Sequence, residues 1–183
     1  RFQNNTRTGY YLRKWLTGKN NLLNVTAPLN DYHYHVLFRR TELFLNLAEA
    51  SNEAYGPTAV APGSTQSAVT IIKNIRTAAG ITSNAYVDEV AALGASEFRK
   101  MIQNERRIAL AFENQRYFDL RRCLLPLTET VKGMKIEKSS TGSLVYSIMN
   151  VEERKFNNIK YYYHPLPYGE TTKSPSLINN LGW

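Results

Sequence analysis

Carboxylate pairs are the first candidates for chemistry in this chain of 183 residues, because a glycosidase needs two carboxyl groups at a fixed separation. Glu105 and Glu113 fall in one stretch with helical periodicity, where their spacing corresponds to about 12 Å of helix axis. Glycosidases require roughly 5–5.5 Å or 6.5–9.5 Å between these groups. Glu152 and Glu153 are adjacent and point to different sides of any regular element. No G-x-S-x-G, H-E-x-x-H or phosphate-loop pattern occurs either, so we expect no enzyme.

Two histidines, His33 and His35, would share one face of an extended segment, which is a geometry that can bind a transition metal. No nearby acidic pattern supplies further ligands, and the single cysteine, Cys123, excludes a site built from several cysteines. The sequence therefore predicts no functional metal site and no cofactor.

Aromatic residues in polar surroundings are the candidates for ligand binding. Flat rings can stack on the apolar faces of sugars, while neighbouring polar side chains hold the hydroxyl groups. Trp15, Tyr32 and Tyr34 lie in such surroundings near the start of the chain, as do Tyr10 and Tyr11. The alternative for each ring is that it fills the core between short elements. We take Trp15, Tyr32 and Tyr34 as the candidate ligand contacts.

Composition limits the classes of partner. The formal charge of +8 would permit anionic partners, but basic residues are scattered along the chain and interleaved with acids. We therefore expect no nucleic-acid partner. The hydrophobic content of 43% is that of an ordered globular domain. The apolar stretches are too short to span a membrane, and the first residues show no signal-peptide core, so we expect any export signal upstream of Arg1.

Residues 98–122 show the clearest helical periodicity. The predicted apolar face consists of Phe98, Met101, Ile102, Ile108, Ala109 and Phe112. Ser96 is the expected N-cap, and the opposite, solvated face is predicted to carry Arg99, Lys100, Arg106 and Arg107. We expect the helix to stop near Asn114, which tolerates left-handed backbone, and to restart over residues 115–124.

Glu105 interrupts this apolar face, where an unpaired carboxylate would be costly or would become protonated. We expect it to be buried against an arginine, either Arg76 or Arg116; the alternative is that its long side chain reaches solvent at the edge of the helix. Asp119 and Arg122 are three residues apart and can pair within one turn. The predicted structural ion-pair network thus consists of Arg76, Glu105, Arg116 and Asp119.

Two further helices are predicted over residues 40–55 and 67–79, joined as an antiparallel hairpin. In the first, the expected buried stripe is Leu43, Leu47, Ala50 and Ala54. Residues 1–39 are predicted to form brief strands or extended segments, and residues 81–95 a connector. Residues 125–160 are predicted to be a loop that could include a hairpin.

The run NERRIALAFENQRYFDLRR, residues 104–122, resembles the signature of the SusD/RagB family of nutrient-binding lipoproteins from the surface of Bacteroidetes. The family's ER, E-G-x-R and F-D-L-x-R elements match residues 105–106, 113–116 and 118–122. Asn114 stands in place of Gly, and Cys123 in place of the usual Trp.

Shorter segments carry the same resemblance. RTELFLNLAEASNEAYG is similar to the family's R-x-x-E-x-x-L-x-x-A-E-A segment, with Arg40 and Glu42 taken as its first two matches, and NIRTAAGI is similar to N-x-x-R-x-x-A-G. GYYLRKW, early in the chain, resembles G-Y-x-x-x-K-[FYW]. The tail resembles the family's closing P-[IL]-P-x-x-E and N-P-G-[WY] elements, with Leu181 replacing the expected Pro.

The resemblance implies a mainly α fold, with helical hairpins of tetratricopeptide-like type, long irregular loops and a few short strands. It implies that residues 1–183 form a single region, the C-terminal portion of a longer SusD-like protein. It also implies a function: non-catalytic binding of glycans or other nutrients at the outer membrane, where a SusC-like TonB-dependent transporter receives them and a lipid anchor in the N-terminal part holds the protein. The alternatives are a helical-repeat scaffold for a protein or peptide partner and, last, a carbohydrate-active enzyme.

Overall fold

The computed structural model describes residues 6–15, 26–27, 34 and 36–183. The chain divides into two compact units: Val36–Cys123 forms one, and Leu124–Trp183 forms the other together with the residues that precede Val36. The first unit is helical. Its elements are α1 (Arg40–Tyr55), α2 (Ala68–Ala78), α3 (Ala85–Ala92), α4 (Ala95–Ala109) and α5 (Gln115–Arg122). The prediction of a mainly helical fold is confirmed.

The first helix, α1, has the predicted bounds because Gly56 ends it with a positive φ of 86° and Pro57 follows. Its predicted buried stripe is wrong. Leu43 and Leu47 are 53% and 37% exposed, and the buried face consists of Leu45, Ala48, Ser51 and Asn52. Small side chains on that face allow α1 to lie close to both α2 and α4.

The second helix, α2, begins at a side-chain cap: the Ser67 hydroxyl accepts a hydrogen bond from the Thr70 backbone N–H at 3.2 Å. Its buried residues are Ala68, Val69, Ile71 and Ile72. The helical hairpin of α1 and α2 is therefore present.

The prediction of a plain connector over residues 81–95 is wrong, because α3 lies within it and buries Val87, Val90 and Ala91 at helical spacing.

The fourth helix, α4, buries Phe98, Met101 and Ile102 as its periodicity predicts. Gly94 rather than Ser96 is its N-cap residue. The helix ends at Ala109, earlier than predicted. Its predicted apolar face is wrong at Ile108, which lies within the helix, and at Phe112, which lies beyond its end; they are 58% and 65% exposed.

Asn114 has a φ of 64° and directly precedes α5, so the left-handed residue expected between two helices is present. The buried residues of α1, α2, α3 and α4 form one hydrophobic cluster that also includes Leu110. That cluster is the core of the unit Val36–Cys123, and it holds α4 in place against α1 and α3.

The second unit contains an antiparallel hairpin of β1 (Glu129–Lys138) and β2 (Leu144–Arg154), followed by the short helix α6 (Tyr168–Lys173). The backbone N–H of Met134 donates to the carbonyl of Thr8 at 2.8 Å, so the N-terminal segment lies directly on β1. The prediction for the start of the chain was brief strands or extended segments, and the described residues 6–15 contain no strand.

Candidate functional site

Arg76 and Glu105 form an ion pair between α2 and α4. Glu105 is only 5% exposed, and the Arg76 guanidinium also donates to the Asn84 side-chain carbonyl at 3.2 Å. Of the two arginines predicted as partners for Glu105, the structure brings Arg76 to it. Arg116 has no ion-pair partner within the described part of the chain, and its place in the network stays a prediction.

Arg106 and Asp119 form a second ion pair, with a separation of 3.1 Å between Arg106 Nε and Asp119 Oδ2. The prediction that Arg106 lies on the solvated face is wrong, because it is 4% exposed. Its guanidinium also donates to the side-chain carbonyl of Asn46 at 2.6 Å. The buried position is tolerated because an acid and an amide oxygen both accept from the guanidinium.

Arg122 connects Asp119 to α1. Its guanidinium donates to Asp119 at 2.9 Å, as the spacing of three predicts, and to both carboxylate oxygens of Glu49 at 2.6 and 2.7 Å. The hydrogen bonds that Arg122 donates to Glu49, and then the one to Asp119, raise the pKa of Arg122 above its usual value. Helices α1, α4 and α5 therefore meet in one polar cluster.

Arg39 and Glu113 form a third pair, at 2.8 Å between Nε and Oε2. Arg39 also donates to the Ala109 carbonyl and, at 3.2 Å, to the Thr41 hydroxyl. Sequence reasoning missed this pair and matched Arg40 to the family's R-x-x-E element. The spacing itself was the available signal, since Arg39 and not Arg40 lies three residues before Glu42.

These three pairs use the residues of the long sequence signature. Four charged residues of the signature each form an ion pair with a residue of opposite charge. They are Glu105, Arg106, Glu113 and Asp119. The charged residues of the signature therefore join helices of the unit Val36–Cys123.

The aromatic candidates are only partly described. Tyr34 is 77% exposed. Trp15 is half-buried, and the Lys14 ammonium lies 5.9 Å from the centre of its ring. Tyr32 lies outside the described residues, as do His33 and His35 with their predicted lack of a metal. Tyr10 and Tyr11 are exposed rings in the same N-terminal segment.

The described part of the chain contains neither a metal-binding cluster nor a membrane-spanning helix. No group of three or more His, Cys, Asp or Glu side chains there is arranged to hold a metal ion. Among the same residues, no helix combines the length and the apolar character needed to span a bilayer. The free Cys123 is half-buried, and this burial raises the pKa of its thiol.

A pocket with a volume of about 550 Å³ lies in the helical unit, between the start of α1 and one face of α2. Arg39 and Arg40 lie at its charged side, and Phe44, Ile71 and Ile75 contribute apolar surface. It is a candidate cavity for a small ligand.

The SusD family model matches residues 2–183, and the chain therefore belongs to the SusD/RagB family. Its fold is similar to the crystal structure of a SusD-like protein from Bacteroides fragilis, with a TM-score of 0.67 and 26% sequence identity. That match covers 97% of this chain and 31% of the Bacteroides chain, so the present chain spans about a third of that relative. None of the curated proteins matches it.

Proposed function

We propose that the protein binds glycans or other nutrients at the bacterial cell surface, without catalysis. The observation that supports this most directly is the match of the SusD family over residues 2–183, together with a structure similar to a SusD-like protein. The bound nutrient would pass to a SusC-like TonB-dependent transporter. The protein would be exposed at the outer membrane and held there by a lipid anchor.

A second part of the proposal is that residues 1–183 belong to a larger protein. Residues 1–183 would act as one C-terminal region of a SusD-like chain, and the lipid anchor would lie in the N-terminal part. The length of the Bacteroides relative supports this, since its chain is about three times as long as the segment matched here. Part of the ligand platform would then come from residues outside this region.

Non-catalytic binding is consistent with the arginine partners of the buried acids. A glycosidase needs one carboxyl group that can donate a proton and a second that can act as base or nucleophile. Glu105 and Asp119 are instead each paired with an arginine. Each of these two carboxylates thus serves to join helices of the unit Val36–Cys123.

We assign ligand contacts to the aromatic residues Trp15, Tyr32 and Tyr34. One ring stacked on a sugar contributes about 1 kcal/mol, by analogy with aromatic pairs, whereas association costs at least ~4 kcal/mol in lost translational and rotational freedom. Several rings and hydrogen bonds must therefore act together. Isolated residues 1–183 should bind soluble glycans weakly or not at all.

The test is titration of a glycan panel against residues 1–183 and against the longer protein, with reducing-end release measured in parallel. We expect binding by the longer protein, weaker binding by residues 1–183 and no release of reducing ends. Release of reducing ends would overturn the non-catalytic assignment. If the longer protein bound no glycan in the panel, the carbohydrate proposal would fail, and the peptide-scaffold alternative would be favoured.

A further inference from the structure

The pocket between α1 and α2 has the size of a small-molecule site. Its volume of about 550 Å³ falls within the range of roughly 300–1,000 Å³ that is typical of ligand pockets. All of its described lining residues belong to the unit Val36–Cys123. They are Arg39, Arg40, Thr41, Phe44, Gln66, Ile71, Asn74, Ile75, Ala78, Ala79 and Ala109.

The two arginines of this pocket differ in how their charge is balanced. Arg39 is paired with Glu113. Arg40 has no ion-pair partner among the described residues, and its guanidinium lies 5.0 Å from the centre of the Phe44 ring. No Asp or Glu is among the described lining residues. The pocket therefore offers one guanidinium whose charge is not balanced by an acid.

The start of α1 adds to this positive character. Its N-cap residue, Arg39, makes no side-chain capping hydrogen bond. Within the contacts described, the backbone N–H groups of Arg40 and Thr41 have no acceptor, and both residues line the pocket. Free N–H groups at a helix N-terminus, together with the helix dipole, favour a bound anion. A guanidinium and an uncapped helix turn thus favour the same sign of charge at one side of the cavity.

The opposite side of the pocket is mainly apolar. Ile71, Ile75, Ala78 and Ala79 follow one face of α2 and, with Phe44, form its wall. Two side-chain amides interrupt that wall: Asn74 Nδ2 lies 3.4 Å from Gln66 Oε1. This contact leaves the Gln66 amino group and the Asn74 carbonyl to bind an amide of a ligand.

We propose that this pocket binds the carboxylate of an N-acylated apolar amino acid. The carboxylate would contact Arg40 and the first turn of α1. The apolar side chain would lie against Ile71, Ile75 and Phe44, and the acylated nitrogen and its carbonyl would contact Gln66 and Asn74. The inference goes beyond the proposed glycan binding and does not depend on it.

A monoanion fits better than a phosphate. The pocket has one guanidinium without an acid partner, whereas a phosphate monoester carries nearly two charges and three acceptor oxygens at neutral pH. Phosphate sites bring several backbone N–H donors together around the anion. The apolar face of α2 would remain empty beside a phosphate. A carboxylate with an apolar substituent covers both sides of the cavity.

The same chemistry has two sources, a free N-acyl amino acid and the C-terminus of a peptide. NMR titration of residues 1–183 would use N-acetyl-leucine and the pentapeptide Gly-Ser-Gly-Ser-Leu, each with its C-terminal amide as the neutral control. We expect saturable binding of at least one carboxylate, and an affinity at least about tenfold lower for its amide, which loses the charge-assisted hydrogen bonds. Binding of the pentapeptide would identify the peptide source, and binding of N-acetyl-leucine alone would identify the small molecule.

Two variants test the site itself. Arg40→Gln removes the charge from an exposed residue and should lower the carboxylate affinity at least about tenfold. Ala78→Phe fills the cavity without changing the charge and should also abolish saturable binding. Arg107→Gln, an exposed arginine of α4 outside the pocket, is the matched control and should bind like the wild type. Equal binding by Arg40→Gln and wild type, or no saturable binding of either carboxylate, would overturn the proposal.

Discussion

Arg106 of α4 and Asp119 of α5 form the most enclosed ion pair in the described part of the chain, with 4% and 6% of their side chains exposed. The pair fixes α5 against α4, and through Asn46 and Glu49 the same cluster includes α1. A buried pair adds little net stability compared with apolar packing, but the loss of one partner is costly because the other charge stays buried. These residues therefore specify how three helices meet.

Replacement of Asp119 should show how much the loss of one partner lowers the free energy of unfolding. Asp119→Asn leaves the shape almost unchanged but removes the charge that balances Arg106, so we expect a loss of about 3 kcal/mol in the free energy of unfolding. Urea unfolding measures it. The matched control is Asp88→Asn, which removes the acid of the Lys73–Asp88 pair, whose carboxylate is 60% exposed. An equal loss in both variants would show that burial is not the cause.

Glu105→Gln should also destabilise the protein by about 3 kcal/mol, because Arg76, whose side chain is only 16% exposed, would be left without a counter-charge. The Glu105 side chain is 7% exposed. Glu97→Gln on the same helix is the control, since Glu97 pairs with Lys100 where both side chains are well exposed. A double-mutant cycle with Arg76→Met separates the pair energy from the cost of each single change. A coupling energy near zero would contradict this account.

The helix bounds and the polar cluster differ in how far they could be predicted from sequence. The bounds of α1 followed from local signals, periodicity and the Gly56-Pro57 stop. The burial of Arg106 did not, because its partners Asn46 and Asp119 are 60 and 13 residues away in sequence. Periodicity placed Arg106 opposite Phe98 and Met101, and only the packing of α5 over that side of α4 gives it a buried partner.

The wrong face of α1 has a related cause. Leu43, Leu47, Ala50 and Ala54 form a regular stripe, but Leu45 and Ala48 form another, and the sequence alone does not show which one α2 and α4 cover. The pocket could not be predicted either, because Arg40 and the α2 face meet only after the hairpin closes. Glu105 was identifiable because one charged residue lay within an otherwise apolar helical face.

The exposed pair of Glu53 and Arg99 gives a pH prediction. The hydrogen bond from Arg99 lowers the pKa of Glu53 below its ordinary value of 4.5. A lowered pKa in the folded state means that the pair stabilises the fold above about pH 4.5 and that this contribution is lost as the pH falls through the folded pKa. Carboxyl-carbon NMR titration should show the lowered pKa. Arg99→Gln should return it towards 4.5, and an unchanged pKa in that variant would exclude Arg99 as the cause.

Gly133 of β1 should be intolerant of any side chain. A Cβ atom there would lie 2.7 Å from the Thr8 carbonyl oxygen and 2.8 Å from Val151 Cγ2, so Gly133→Ala forces the N-terminal segment away from the hairpin. We expect a loss of about 1–3 kcal/mol, the usual cost of overpacking. Gly169→Ala in α6 is the control, because a Cβ atom there meets nothing within 4 Å and alanine favours a helix. Equal stability of Gly133→Ala and wild type would contradict this contact.

The last prediction concerns the proposed ligand contacts in the N-terminal segment. Tyr34→Ala in the longer protein should weaken glycan binding by about fivefold, which corresponds to the roughly 1 kcal/mol of one stacked ring, and Trp15→Ala should weaken it by at least as much. Tyr168→Ala is the matched control, because Tyr168 is 83% exposed, compared with 77% for Tyr34, and it lies in α6. Affinity electrophoresis in glycan-containing gels detects such weak changes. If Tyr34→Ala and Trp15→Ala migrated like the wild type while the wild type was retarded by the glycan, binding would have to depend on other residues, and the assignment of these two rings would be wrong.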